Sequence, residues 1–396
     1  MNKPKLIVVA HTNLGTSLSG GDRIFLNILR YWQKHFDINF LSSQEAQQLT
    51  RHYQFKIKVS STTATLPPPI TLNTFNLFLH HSRRFFSGLY YSLTHQNTFR
   101  RTQYIYTSSD FYGDFVFGLI AKLVNPKITW LCGYYLLAPN PFDKNSPYIK
   151  NHQFVRGLIY YLAQRPTVLI TKTLADHVFV TSNPDIKIFQ NSRLSPDRIP
   201  VIQGGVYIPP FSTLKKLTPY TKRKYDAIYI GRLHSQKGVV EMIDIWQKVV
   251  NKLPNAKLAV IGDGELMSVM QDKIKQLKLE NNIYMAGFGI GKKKFDLIRQ
   301  SKIVLHPATH DSGGMAAAEA MAWGLPGVSY NLPALKTYYP EGMIKTKCFN
   351  KQQFASNIIE LLLKQSYYKQ QSILSRQLII RSWNWRKRLD HIYQNL

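Results

Sequence analysis

Short apolar runs alternate with helix-length amphipathic segments along nearly the whole chain. The runs are Leu6–Ala10, Ile38–Leu41, Tyr104–Thr107, Ile128–Leu131, His177–Thr181 and Ile199–Ile202. The pattern resumes at Ala227–Ile230, Leu258–Ile261, Ile283–Met285 and Ile303–His306. Alternation of this kind implies an α/β fold with parallel sheets, because each crossover between parallel strands is a helix. Between the two series lies PPFSTLKKLTPYTKRK, residues 209–224, whose prolines, threonines and lysines read as a linker. The expectation is one sheet domain over 1–208 and a second over 225–379. A chain of 396 residues, 44% of them hydrophobic, has the length and the core material for both. A cleft between two such domains, at the C-terminal ends of the strands, is where a ligand is expected.

The most informative stretch is VLHPATHDSGGMAAAEAMAWGLPGVSY, from Val304 to Tyr330. A strand ends at His306 and a glycine-rich turn follows. A helix is then expected from about Gly314 to Trp323, stopped by Gly324 with Pro326 beyond, before a last strand at Gly327–Tyr330. Met315, Ala316, Ala317, Ala318, Ala320, Met321 and Ala322 make this helix apolar on every side, the mark of a buried helix. Glu319 stands alone within it, and a buried carboxylate needs a partner. That partner is either a neighbouring lysine or arginine, or a ligand. Gly313 and Gly314 leave the N-terminus bare, so its free N–H groups and positive dipole end suit an anion. Asp311 lies in the loop at the same end.

Other loops offer weaker signals. Gly20 and Gly21 follow the first strand and open a helix, where a backbone can approach a ligand closely or simply turn. Gly231 and Arg232 follow the strand ending at Ile230, and Lys237 precedes the next helix. The two cations could hold a diphosphate or merely face solvent. Lys292 to Lys294 open a later helix, which is electrostatically unfavourable there and hints at an anion, or at plain exposure.

The formal charge of +29 implies anionic surroundings, whether a phosphorylated ligand, an acidic lipid surface or nucleic acid, on top of an ordinary cationic surface. In the segment 71–101, Phe75, Phe78, Leu79, Phe86, Leu89, Tyr90 and Leu93 fall on one helical face among Arg83, Arg84, Arg100 and Arg101. That face either docks on an anionic membrane interface or packs on its own sheet. No apolar run is long enough to span a bilayer, and the N-terminus reads as a first strand rather than a secretory signal. The two cysteines, Cys132 and Cys348, lack metal-site spacing and fit a reducing cytoplasm.

Taken in order, several segments resemble the retaining glycosyltransferases of family 4. They are the Gly20-Gly21 loop, LADHVFVTSNPD (174–185), VIQGGVYIPPF (201–211), GRLHSQKG, VIGDGEL, IYMAGFG and HDSGGMAAAEAMAWGLPGV. The resemblance implies the GT-B fold: two Rossmann-like domains with parallel sheets facing across a cleft. Residues 380–396 then form a closing helix that crosses back to the acceptor-side first domain. It implies a nucleoside-diphosphate sugar as donor, bound by the second domain, and a cell-envelope glycan, exopolysaccharide or lipid-linked acceptor. Apart from the resemblance, the cysteines point to a cytoplasmic location, the charge and the 71–101 face raise the expectation of contact with an anionic membrane surface on the inner face of the plasma membrane, and the lack of a recognition motif disfavours nucleic acid as a partner.

The family's Glu-x7-Glu pair corresponds to Asp311 and Glu319. Glu319 is thereby expected to bind ribose hydroxyls, and Asp311 to contact the transferred sugar. Arg232 and Lys237 would clasp the diphosphate, with the N–H groups of Gly314 and Met315 adding to them beside Gly313. Main-chain groups at Ala286 and Gly287 would face the base, and Gly231, Gly20 and Gly21 would complete the substrate site. No Asp-x-Asp motif occurs, so the two basic side chains would replace the divalent metal that many glycosyltransferases use, and no cofactor is expected. Two departures stand out. The first acidic member is Asp rather than Glu. The stretch TWLCGYY after residue 128 has Cys132 and Gly133 where many members carry a His. These departures keep open a catalytically inactive module that only binds a sugar nucleotide or glycan.

Overall fold

The computed structural model describes residues 3–12, 20–51, 58–61, 74–143, 146–150, 153–214, 218–311 and 313–396. Two compact units emerge. The first comprises residues 1–204 with 385–396, and the second comprises 205–384.

The first unit runs β1 (Lys5–Ala10), α1 (Gly20–Trp32), β2 (Asp37–Ser42), α2 (Gln44–Arg51), β3 (Lys58–Ser61), α3 (Thr74–Thr94) and α4 (Gln96–Arg100). It continues β4 (Tyr104–Thr107), α5 (Tyr112–Val124), β5 (Thr129–Tyr134), α6 (Pro147–Lys150), α7 (Phe154–Leu174), β6 (His177–Val180) and α8 (Asn183–Phe189). The strands form one parallel sheet in the order β3-β2-β1-β4-β5-β6. Alternate residues of β1 serve opposite faces, as the pleat requires. Leu6, Val8 and Ala10 pack under α1, whereas Ile7 and Val9 join the core beneath α3, α5 and α7.

The second unit runs α9 (Phe211–Leu214), β7 (Tyr225–Ile230), α10 (Val239–Val250), β8 (Leu258–Ile261), α11 (Met267–Gln276), β9 (Ile283–Gly287), α12 (Gly291–Arg299) and β10 (Ser301–His306). Then come α13 (Met315–Met321), β11 (Gly327–Tyr330), α14 (Pro333–Tyr338), β12 (Met343–Thr346), α15 (Lys351–Leu363) and α16 (Gln365–Ser382). Its sheet has the order β12-β11-β10-β7-β8-β9, again all parallel. Ala227, Tyr229, Val260 and Leu305 form a core with α10, α11 and α15.

After the second unit the chain returns to the first as α17 (Trp385–Gln394). Leu389 and Ile392 are buried there, and the Trp32 indole donates to the Leu389 carbonyl at 3.1 Å. The ring of Tyr393 stacks on His35 with centroids 3.9 Å apart.

Most expected strands are present within a residue or two. The run Ile199–Ile202 is a correction: only Val201 touches the sheet, as an isolated bridge to Val180. Pro200 lies within the run, and a proline carries no N–H for a ladder. Strands β3 and β12 went unread, since KVSS and MIKT lack a run of apolar residues. The segment expected as one amphipathic helix over 71–101 is two helices, α3 and α4, with a break at His95. Among the described residues no helix is long and apolar enough to cross a membrane.

Candidate active site

Both sheets reverse direction of growth at one place, between β1 and β4 and between β7 and β10. At such a switch point the loops from neighbouring strands diverge and leave a crevice at the C-terminal ends. In the second unit the crevice holds most of the residues the sequence singles out.

The loop after β7 ends in a 3-10 turn, Ser235–Lys237, closed by Gly238 at φ +63°. A side chain at Gly238 would run into the carbonyl oxygen of Pro307, so glycine is required both by the dihedral and by the close approach. This approach joins the loop after β7 to the loop after β10. The amides of Thr309 and His310 both donate to the Gln236 carbonyl, at 2.9 and 3.2 Å.

The junction brings Lys237 to Asp311. The lysine Nζ lies 2.6 Å from Asp311 Oδ2, and His306 Nε2 lies 3.1 Å from the same oxygen. The other oxygen accepts from the amides of Gly313 and Gly314, at 3.1 and 3.2 Å. Burial pushes the Asp311 carboxyl up, but the charge of Lys237 and the contact with His306 outweigh it and hold the group well below the usual carboxylate range. The expectation of a bare helix start is corrected here: the amides at 313 and 314 are already taken, by a side chain of the same loop. Gly314, at φ +60°, then caps α13, and its carbonyl accepts from the Tyr339 hydroxyl at 2.7 Å.

Glu319 is buried in α13, as its apolar surroundings imply. Its Oε2 lies 2.9 Å from Lys294 Nζ, and both side chains are only 9% exposed. Of the two partners weighed for this carboxylate, a neighbouring base is thus present. It comes from the lysine run that opens α12. Lys294 faces inward, whereas Lys292 and Lys293 are exposed. Lys293 reaches back along the same loop to the Ala286 carbonyl at 2.7 Å. Gly287 ends β9 at φ +67° with open space around its α-carbon. Arg232 is exposed and forms no ion pair with a described residue, which leaves its guanidinium available. Gly231 precedes it, and its amide donates to the Ile261 carbonyl at 3.0 Å.

Sequence reasoning passed over His306, and noted Lys294 only within the Lys292–Lys294 run without pairing it with Glu319. The signals were a polar ring as the last strand residue before Pro307, and a lysine at a helical position whose neighbours are core.

The first unit has its own polar cluster at its switch point. Asp114, in the first turn of α5, accepts from the amides of His11 and Thr12 at 2.6 and 3.0 Å. It also accepts from the hydroxyls of Ser108 and Ser109 at 3.1 and 2.6 Å. Burial raises its pKa. Nearby, burial pushes Asp110 up to about 6, although Gln164 donates to it at 2.6 Å. Gly20 and Gly21 begin α1. The loop before them lies outside the described residues. Cys132 is buried in β5, and burial pushes its thiol up to about 12.

Residues 212–377 match the model of the family described as glycosyl transferases group 1. The match covers 166 of the 396 residues, and this segment is similar to a group 1 glycosyl transferase domain. It contains every site residue of the second unit named above. An uncharacterized glycosyltransferase of Methanocaldococcus jannaschii, MJ1059, is 35% identical over 108 residues, which are 27% of this chain and 26% of that protein. The poly(glycerol-phosphate) alpha-glucosyltransferase of Bacillus subtilis is 25% identical over 175 residues, 42% of this chain and 26% of that one. The chain thus spans about a quarter of the length of these curated relatives. A crystal structure of Anabaena Alr3699/HepE in complex with UDP and glucose superposes with a TM-score of 0.71 at 16% identity, covering 99% of this chain and 98% of that one. That likeness establishes the fold over nearly the full length: GT-B, with the segment that matches the group 1 model in its second half.

Proposed function

We propose that the chain is a retaining, metal-independent glycosyltransferase that moves a sugar from a nucleoside-diphosphate sugar to a glycan or lipid-linked acceptor. The observation that carries this reading is the convergence of Lys237, Asp311 and His306 at the β7/β10 switch point of the segment that matches the group 1 model, with Glu319 in the helix that follows. Support for a UDP-sugar comes from the ligands of the Anabaena structure. Support for a polymeric acceptor comes from the poly(glycerol-phosphate) in the name of the Bacillus relative.

In this reading Glu319 accepts from the ribose hydroxyls, and Arg232 and Lys237 bind the diphosphate with the amide of Met315. The bond from the sugar carbon to the terminal phosphate oxygen breaks, and its electron pair stays on that oxygen. Cations fixed in place stabilise the charge that develops there and need no reorganisation to do so. The acceptor hydroxyl oxygen bonds to the same carbon, and its proton passes to the departing diphosphate oxygen, which holds the electron pair of the broken bond. The site is expected to work without a divalent ion because two basic side chains do that ion's electrostatic work. The partners are then the donor, the acceptor and an anionic membrane surface on the cytoplasmic side, with the first unit receiving the acceptor.

The test is a thermal-shift screen against UDP-, GDP- and ADP-sugars, since a ligand that binds only the folded state raises its stability by mass action. One donor class is expected to raise the melting temperature, and Glu319→Ala to abolish both that rise and sugar transfer. Transfer is expected to persist in chelator. A strict requirement for Mg²⁺ or Mn²⁺ would reject the metal-independent mechanism. A second reading is an inactive sugar-nucleotide-binding module. It is favoured by Asp311, which is engaged on both oxygens, by the amides of its own loop on one and by His306 and Lys237 on the other. Under that reading the donor binds but is not consumed, and Asp311→Glu restores turnover.

A further inference from the structure

Helix α7 is built inside out. Its buried positions are Gly157, Gln164, Thr167, Val168 and Thr171, mostly small or polar. Its solvent side carries Val155, Ile159, Leu162 and Leu169, which are 68%, 51%, 56% and 65% exposed. The spacing of four, three and seven residues places all four on one stripe. An ordinary surface helix turns such a stripe inward.

Helix α3, on the same side of the sheet, does likewise. Phe78, Phe86, Tyr90 and Leu93 are at least half exposed, with Phe86 at 65% and Tyr90 at 72%. Both helices flank α5. There Tyr112 meets the ring of Phe85 from α3 and donates its hydroxyl to the Ala163 carbonyl of α7 at 2.7 Å. The two stripes therefore belong to one layer of the first unit, over the core of Ile7, Val9 and Ile105.

Charge identifies the occupant. Neither α3 nor α7 contains an acidic residue. From 74 to 174 the chain has three acids, Asp110, Asp114 and Asp143, against eleven lysines and arginines. Asp110 and Asp114 are spent on internal hydrogen bonds. Exposed Arg83 and Arg165 lie on the two helices that carry the stripes. A second copy of the chain would set these same cations face to face. We infer that the outward faces of α3 and α7 together form a docking surface for an anionic lipid bilayer: the apolar stripes enter the headgroup boundary while the arginines meet lipid phosphates. This deepens the reading of a membrane surface as partner and is independent of the donor chemistry.

The test is co-sedimentation of the full chain with vesicles of phosphatidylcholine alone or with 30% phosphatidylglycerol. Binding is expected to the anionic vesicles, with at least a tenfold weaker partition to the neutral ones. Val155→Ser, Ile159→Ser, Leu162→Ser and Leu169→Ser combined are expected to weaken anionic binding at least tenfold. Phe86→Ser with Tyr90→Ser is expected to weaken it several-fold. All these positions face solvent, so melting temperature and the donor-induced thermal shift are expected to stay at the wild-type values. Unchanged partition of both variants, or no wild-type binding to anionic vesicles, would overturn the inference. So would a wild-type dimer by light scattering that the serine variants convert to monomer without any vesicle binding. Lipid binding that persists in a protein with no donor response would reject the transferase reading and leave this one standing.

Discussion

Glu319 and Lys294 place a full negative and a full positive charge among alanines, where water screens neither well. Their mutual attraction offsets the desolvation each has undergone, so the pair is worth little against an apolar replacement of both, but much against loss of one. Lys294→Met is therefore expected to lower unfolding free energy by about 3–5 kcal/mol, read from denaturant titration of the full chain. Adding Glu319→Gln to it is expected to recover most of that loss. A change under about 1 kcal/mol for the single variant would mean that the carboxylate is solvated after all. His306 stands beside Asp311 in a comparable setting: a strand-end imidazole, buried, with the carboxylate at 3.1 Å and a lysine on the far side. The aspartate, shorter by a methylene than the expected glutamate, has the right length to reach back to the amides of Gly313 and Gly314.

At the level of elements, the site depends on two loops that approach through a glycine. Gly238→Ala forces a methyl group toward the Pro307 carbonyl and a side chain into left-handed backbone. It is expected to cost more than about 1–2 kcal/mol and to weaken donor binding, measured by thermal shift with and without sugar nucleotide. A variant with wild-type donor response would separate the Lys237–Asp311 contact from this junction. The second unit was largely legible in the sequence. Its strands are continuous apolar runs bounded by glycine turns, and α13 with its lone Glu319 reads directly as a buried helix. The partner of Glu319 was not legible, because periodicity tells which face of α12 is inward but not that a lysine will fill it. The first unit was harder. In α7 the apolar stripe points out, so a rule that turns apolar residues inward rotates the helix by half a turn. Short strands such as β3 owe their pairing to a neighbouring strand rather than to their own composition.

At the scale of the molecule, the terminal helix α17 belongs to the unit that begins the chain. Leu389 and Ile392 complete a core shared with Trp32, Phe36 and Ile38. Removing residues 385–396 is expected to uncover that core and to lower the melting of the first unit by several degrees in calorimetry. The donor-stabilised transition of the second unit would stay in place. A uniform downward shift of all heat absorption would instead mean that the two units melt as one. The high formal charge also acts at this scale, because it draws the protein toward anionic surfaces before any specific contact forms.

The position of α17 also has a consequence for biosynthesis. The 180 residues from 205 to 384 must be synthesised before the segment that supplies Leu389 and Ile392 is made. At about 5–20 residues per second, that is a wait of roughly 10–40 s. Throughout it the nascent first half holds an unfilled groove beside Trp32. The half made second is the first to have all its own parts.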